Sequence, residues 1–122
     1  MANMINWFEI PAVDFDRAVK FYGAIFGTEI PKQKMQNYDM GFFPGERGFV
    51  SGAVVHGDGY VPSDKGSLVY LNGGDDLGGV LSKVEKAGGK VVVPKTKITD
   101  EYGFFALFLD TEGNKVGLHS MH

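Results

Sequence analysis

The stretch Trp7-Phe8-Glu9-Ile10 sets a carboxylate two residues from the only tryptophan in the chain. On an extended strand Trp7 and Glu9 share one face, and Phe8 and Ile10 share the other. A carboxylate against an indole in a half-dry pocket is expected to have a raised pKa, which suits a general base for proton abstraction. The plainer reading is a strand-end Glu9 paired with a nearby Lys or Arg, or hydrogen-bonded to the ladder. Two of the three histidines are the other titratable candidates. His119, near the C-terminus, reads as an acid or base, a metal ligand or a tail side chain, and His56, beside Gly57, has the same alternatives. Glu9, His56 and His119 together could hold zinc or nickel, although no ligand spacing demands it. Trp7, Phe42, Tyr70 and Phe104 could line an aromatic slot for a flat or apolar ligand, or pack in the core.

Other chemistries lack their residues. There is no cysteine, which removes disulfides, thiolate nucleophiles and Cys-rich zinc sites. The glycines of "LNGGDDLGG" lack the Lys and Ser/Thr of a phosphate loop and the spacing of a dinucleotide fingerprint, and no G-x-S-x-G elbow occurs. A net charge of −3 with scattered lysines offers no footprint for nucleic acid or anionic lipid. No basic-then-apolar leader and no bilayer-length apolar run is present, so the expected location is the cytoplasm. The expected partners are a small molecule and a second copy of the chain, with no nucleic acid and no membrane.

The elements that position these residues follow from a repeat. "GFF" occurs at 41–43 and at 103–105, an offset of 62 (103 minus 41). The same offset lays Asp14–Gly27 on Asp76–Gly89, with apolar residues at i, i+3, i+4, i+7 and i+10 in both copies. That stripe predicts two amphipathic helices, each started by an Asp cap and stopped by Gly. A short apolar run precedes each helix (Met4–Ile10 and Leu68–Leu71), and Val-, Ile- and Phe-rich segments follow. The order strand, helix, strand, strand, strand is thus expected twice within a single 1–122 domain, over about 4–56 and 67–120. Gly57–Gly66 reads as the link, and the two GFF triplets as corresponding strand starts.

With "FEIPAVDFDRAVKFYGAIFG" opening one module, "GGKVVVPKT" after the second helix and "YGFFALFLDTEGNKVGLHS" at the close, the chain resembles the glyoxalase, bleomycin-resistance and extradiol-dioxygenase (vicinal oxygen chelate) superfamily. The resemblance implies an α+β fold of two tandem βαβββ modules, forming curved, mostly antiparallel half-barrels around a cavity. In metal-dependent members it implies a divalent ion held by His, Glu or Gln on the first and last strands of each module. In this sequence those positions fall on Trp7, on Ser67, Leu68 or Val69, on about Gly52, and on Gly117. None is a usual ligand. No cofactor is therefore expected, and a divalent metal only at a relocated site.

Within such a cavity, alternation predicts Ile5, Trp7 and Glu9 inward on the first strand, Gly52, Val54 and His56 on the fourth, and Lys115, Gly117 and His119 on the last. Whether the chain is an enzyme stays open at this point. One reading is a glyoxalase-related protein that binds a small molecule in the intermodule cavity without the usual metal. The alternative is a lactoylglutathione-lyase-related isomerase or lyase that uses Glu9 and His119 for proton transfer. A homodimer is expected, with each cavity built within one chain or across two.

Overall fold

The computed structural model describes residues 3–122. Eight strands and two helices run in the order β1 (Trp7–Pro11), α1 (Phe15–Phe26), β2 (Lys32–Met35), β3 (Tyr38–Phe42), β4 (Ser51–His56), β5 (Tyr70–Asn72), α2 (Gly78–Leu81), β6 (Lys90–Thr99), β7 (Gly103–Leu109) and β8 (Lys115–Ser120). They make two four-stranded sheets of like order, β1-β4-β3-β2 and β5-β8-β7-β6. In each sheet the first and last strands pair in parallel and the other neighbours are antiparallel. Neither sheet closes on itself, so each half-barrel keeps two open edges.

The first helix forms as its pattern dictates. Ala18, Phe21, Tyr22 and Ile25 are buried along one stripe, Asp14 Oδ1 accepts the Arg17 N–H at 3.1 Å, and Gly27 closes the helix at φ 65°. That left-handed angle is cheap only without a Cβ.

The second helix departs from expectation. Only Gly78–Leu81 is α-helical, and the stretch to Gly89 runs on as turns. The adjacent Gly78 and Gly79 explain this, since each glycine costs a helix about 1 kcal/mol relative to alanine. What survives of the stripe is its anchors, Leu77 and Val84, both fully buried. Asp76 still serves the start, its Oδ1 accepting Gly78 N–H at 2.8 Å.

The sheets, α1 and the α2 anchors share one apolar core, in which Ile10 and Val54 of the first sheet and Leu71, Phe108, Val116 and Leu118 of the second surround Phe21, Tyr22 and Ile25. Each such side chain, taken fully out of water, contributes about 1.5–3 kcal/mol before entropy is charged against it.

Polar contacts then tie the modules at the turn Asp110–Asn114. Asp110, 5% exposed, accepts four hydrogen bonds, from Tyr22 Oη (2.7 Å), Glu112 N (2.9 Å), Asn114 N (2.9 Å) and Asn114 Nδ2 (3.0 Å). Asn114 Nδ2 also donates to Pro11 O at 2.7 Å. Glu112 accepts from Val13 N, Asp14 N and the Arg17 guanidinium at 2.7–3.1 Å. The closing turn of one module therefore caps the helix of the other.

Two expectations about register are corrected. The GFF triplets lie on the same strand of their modules but at opposite ends, Gly41-Phe42 finishing β3 and Gly103 starting β7. Gly41 pairs with Val54, whereas the residue paired with Leu118, the counterpart of Val54, is Ala106, an offset of 65 (106 minus 41). The 62-residue offset holds through the helix anchors and slips in the strands, where the ten residues of β6 replace the four of β2.

The second correction concerns β4. Its parallel register sets Ser51, Ala53 and Val55 beside Trp7, Glu9 and Pro11, and Gly52 and Val54 beside Phe8 and Ile10. Val54 accordingly sits in the core, and a Cβ on Gly52 would come within 2.7 Å of the Phe8 ring. Gly52, Val54 and His56 thus face the helix side. The expectation transferred a residue count from β8 to β4, but faces are set by strand pairing, and the connecting loops differ in length.

Candidate functional site

Trp7 and Glu9 lie on the face of the first sheet turned away from the helix, as alternation predicts. Register and parity place Ala53, Val55, Tyr38, Met40 and Phe42 on that same face. Glu9 is exposed and receives two hydrogen bonds, from Trp7 Nε1 at 3.3 Å and from Tyr60 Oη at 2.6 Å. The half-dry pocket expected around this carboxylate is absent, and the residue is ordered by donors rather than by burial.

Tyr60 is the residue that sequence reasoning missed. It belongs to the link, which folds back onto the sheet instead of merely joining the modules. Its ring meets Tyr38 edge-on with centroids 5.4 Å apart, and its N–H donates to Gly57 O at 3.1 Å. Gly57 permits the fold-back because a Cβ there would come within 2.8 Å of Tyr38 Cε1. Asn114 Oδ1 holds the far end of the link by accepting Ser63 N–H at 3.0 Å. The hydrogen bond to Glu9, followed by burial and the Glu9 charge, raises the Tyr60 pKa, so its hydroxyl stays a donor at neutral pH. The only signal in the sequence was a large aromatic in an otherwise polar, Gly-rich segment.

The other candidates scatter. Tyr70, 49% exposed, stands over Gly117, where a Cβ would lie 2.6 Å from Tyr70 Cε1. His119 is two residues further on the same face of β8, its Nε2 2.6 Å from Tyr102 O. His56 is on the helix side, its Nδ1 3.0 Å from Ala12 O, and lines a surface hollow with Lys34, Asp39 and Asp14 rather than meeting Glu9. Phe104 also turns inward, packed against the core with the Lys95 ammonium 4.6 Å from its ring centroid. Its neighbour Phe105, in register with His119, takes the outward face instead. The expected convergence of Glu9, His56 and His119 does not occur, and among the described residues no three His, Cys, Asp or Glu side chains cluster as a metal site.

The register also fixes the four positions that the resemblance assigns to metal ligands. Gly117 shares the outward face with Tyr70, whereas Gly52 sits beside Phe8 on the helix side, so the outward residue Ala53, beside Glu9, takes the place of Gly52 as the counterpart of Gly117. Trp7 lies two residues before Glu9, and Leu68 two before Tyr70. Trp7, Ala53, Leu68 and Gly117 present no side-chain oxygen and no imidazole, and this donor set does not fit a divalent ion.

Where the modules meet, an open apolar cleft of about 1160 Å³ is lined by Phe8, Phe26, Phe43, Leu68 and Tyr70 among others. Of the expected site residues only Tyr70 borders it. No helix among the described residues is long and apolar enough to cross a membrane.

Comparison with known proteins agrees with this architecture. The family profile described as Glyoxalase/Bleomycin resistance protein/Dioxygenase superfamily matches residues 4–118. A glyoxylase-like domain-containing protein of Didymella fabae is 36% identical over 90% of this chain and 88% of its own. The putative glyoxylase CFP32 of Mycobacterium tuberculosis is 30% identical over 93% of this chain, which spans only 44% of that relative. The crystal structure of a glyoxalase/bleomycin resistance protein from Streptomyces sp. CB03234 superposes with a TM-score of 0.69 at 25% identity, covering 93% of this chain and 97% of that one. With a profile match across nearly all its length and a relative above one-third identity, the chain belongs to the glyoxalase/bleomycin resistance protein/dioxygenase superfamily.

Proposed function

We propose that this chain binds a small organic molecule against the faces its two modules turn away from the core, without the divalent ion of metal-dependent relatives. The observation that carries this reading is the donor set Trp7, Ala53, Leu68 and Gly117, in which no side chain ligates a metal while aromatic surface is left accessible. Trp7 is 44% and Tyr70 49% exposed, so both rings are accessible to a ligand or a partner. That exposure supports the homodimer in the same proposal, the second copy covering part of both faces. The small net charge with scattered lysines supports the absence of a nucleic-acid or membrane partner, and a cytoplasmic location is part of the same proposal.

Metal analysis of the purified protein, followed by titration with zinc and nickel, is the test. Sub-stoichiometric metal and no tight binding are expected. Stoichiometric binding that disappears in Glu9→Gln or His119→Ala would overturn the reading in favour of a relocated site. The rival is an isomerase in which Glu9 abstracts a proton. In that case Glu9→Gln abolishes turnover while the circular dichroism spectrum is unchanged.

A further inference from the structure

The face around Glu9 carries more than a general capacity to bind. Along β1, β3 and β4 the side chains on this face are Trp7, Glu9, Pro11, Tyr38, Met40, Phe42, Ser51, Ala53 and Val55, and Glu9 is the one charge among them. Lys32 and Lys34 fall on the other face, where they pair with Asp16 and Asp39. Glu9 has no cationic partner among the described residues, and its two hydrogen bonds both come from neutral donors. A carboxylate has about four acceptor positions, so roughly two are left for a ligand. Two aromatic residues contact it, Trp7 and Tyr60, and each ring leans on a second one on the same face, Trp7 on Phe42 (6.2 Å between centroids) and Tyr60 on Tyr38 (5.4 Å), and ring faces attract cations.

Resting on the small-molecule reading above, we propose that this face selects an organic cation, an ammonium carried on an aromatic or apolar body. The ammonium pairs with Glu9, and the body lies on Trp7 and its neighbouring rings. An anionic ligand would meet an unneutralised carboxylate, and a neutral one would forgo the pairing.

Three probes of one shape test this: 1-naphthylmethylammonium, 1-naphthylmethanol and 1-naphthoate, titrated by calorimetry at low salt. The cation is expected to bind about tenfold more tightly than the alcohol, as one ion pair with an exposed carboxylate plus one ring contact would give, and the anion most weakly. Its advantage should shrink as salt is raised to about 0.5 M, with the alcohol unaffected, and vanish in Glu9→Gln. Equal binding of cation and alcohol, or a cation preference that survives both high salt and Glu9→Gln, overturns the charge selection while leaving small-molecule binding standing. Failure of all three probes to bind at millimolar concentration overturns the small-molecule reading itself. The salt series on the unaltered protein decides the matter even if Glu9→Gln does not fold.

Discussion

Replacing Tyr22 by Phe deletes one oxygen atom at the seam between the modules. Tyr22 is 1% exposed, and its hydroxyl donates at 2.7 Å to Asp110, itself 5% exposed. The ring contacts with Phe21, Phe43 and Phe108 are retained in the variant. Asp110 keeps three of its four donors, so the loss is a single hydrogen bond to a buried carboxylate, about 1.5–3 kcal/mol. At roughly 4 °C per kcal/mol for a chain of this size, the midpoint of thermal unfolding should fall by about 6–12 °C. The pH dependence isolates the cause. Burial first, and then the Asp110 charge and hydrogen bond, push the Tyr22 phenol well above its ordinary value of 10.0. Above that value the unfolded chain releases this proton and the folded chain keeps it, so wild-type stability falls with rising pH. The decline approaches 1.36 kcal/mol per pH unit for this one group. Tyr22→Phe lacks the contribution, and the gap between the two proteins should narrow above about pH 10. Urea unfolding from pH 7 to pH 11 measures it. A difference below about 0.5 kcal/mol at pH 7, or a gap that does not narrow, would refute the assignment of Asp110–Tyr22 as the polar tie across the core.

Glu112 gives a prediction on the acid side. Burial raises its pKa, but the Arg17 guanidinium, the Asp14 N–H and the Thr111 hydroxyl outweigh burial and hold it below the usual 4.5. Its stabilisation is therefore present above that value and lost as pH falls through the lower folded value, so Glu112→Gln should flatten the acid limb of the stability profile in denaturant titrations between pH 6 and 3. Gly52→Ala should destabilise by about 1–3 kcal/mol, because its Cβ would overlap the Phe8 ring on the helix side, and urea unfolding would register it. Unchanged stability in that variant would return Gly52 to the outward face.

Much of the architecture was legible along the chain because helix stripes and caps are local. Asp14, the stripe from Ala18 to Ile25 and Gly27 specify α1 with no reference to the rest of the molecule, and alternation suffices to separate Trp7 and Glu9 from Phe8 and Ile10. The site was only half legible. Trp7 and Glu9 could be named from their strand, whereas His56 was assigned to the wrong face and Phe104 was left between the slot and the core, where the structure packs it. Counting by twos fails wherever a loop or bulge of unknown length intervenes, and β6 shifts register three times against β7.

The sequence by itself therefore determined the repeated strand, helix and three-strand order, since that is a property of residue type and spacing. Only the tertiary structure decided that Ala53 stands opposite Glu9, that Tyr60 reaches back from the link to hold that carboxylate, and that Asp110 takes a proton donor from a helix 88 residues away in sequence. Those contacts depend on which strands pair and in what register, and pairing is settled by the burial of a core shared by both modules, a sum over the whole chain that no local pattern contains.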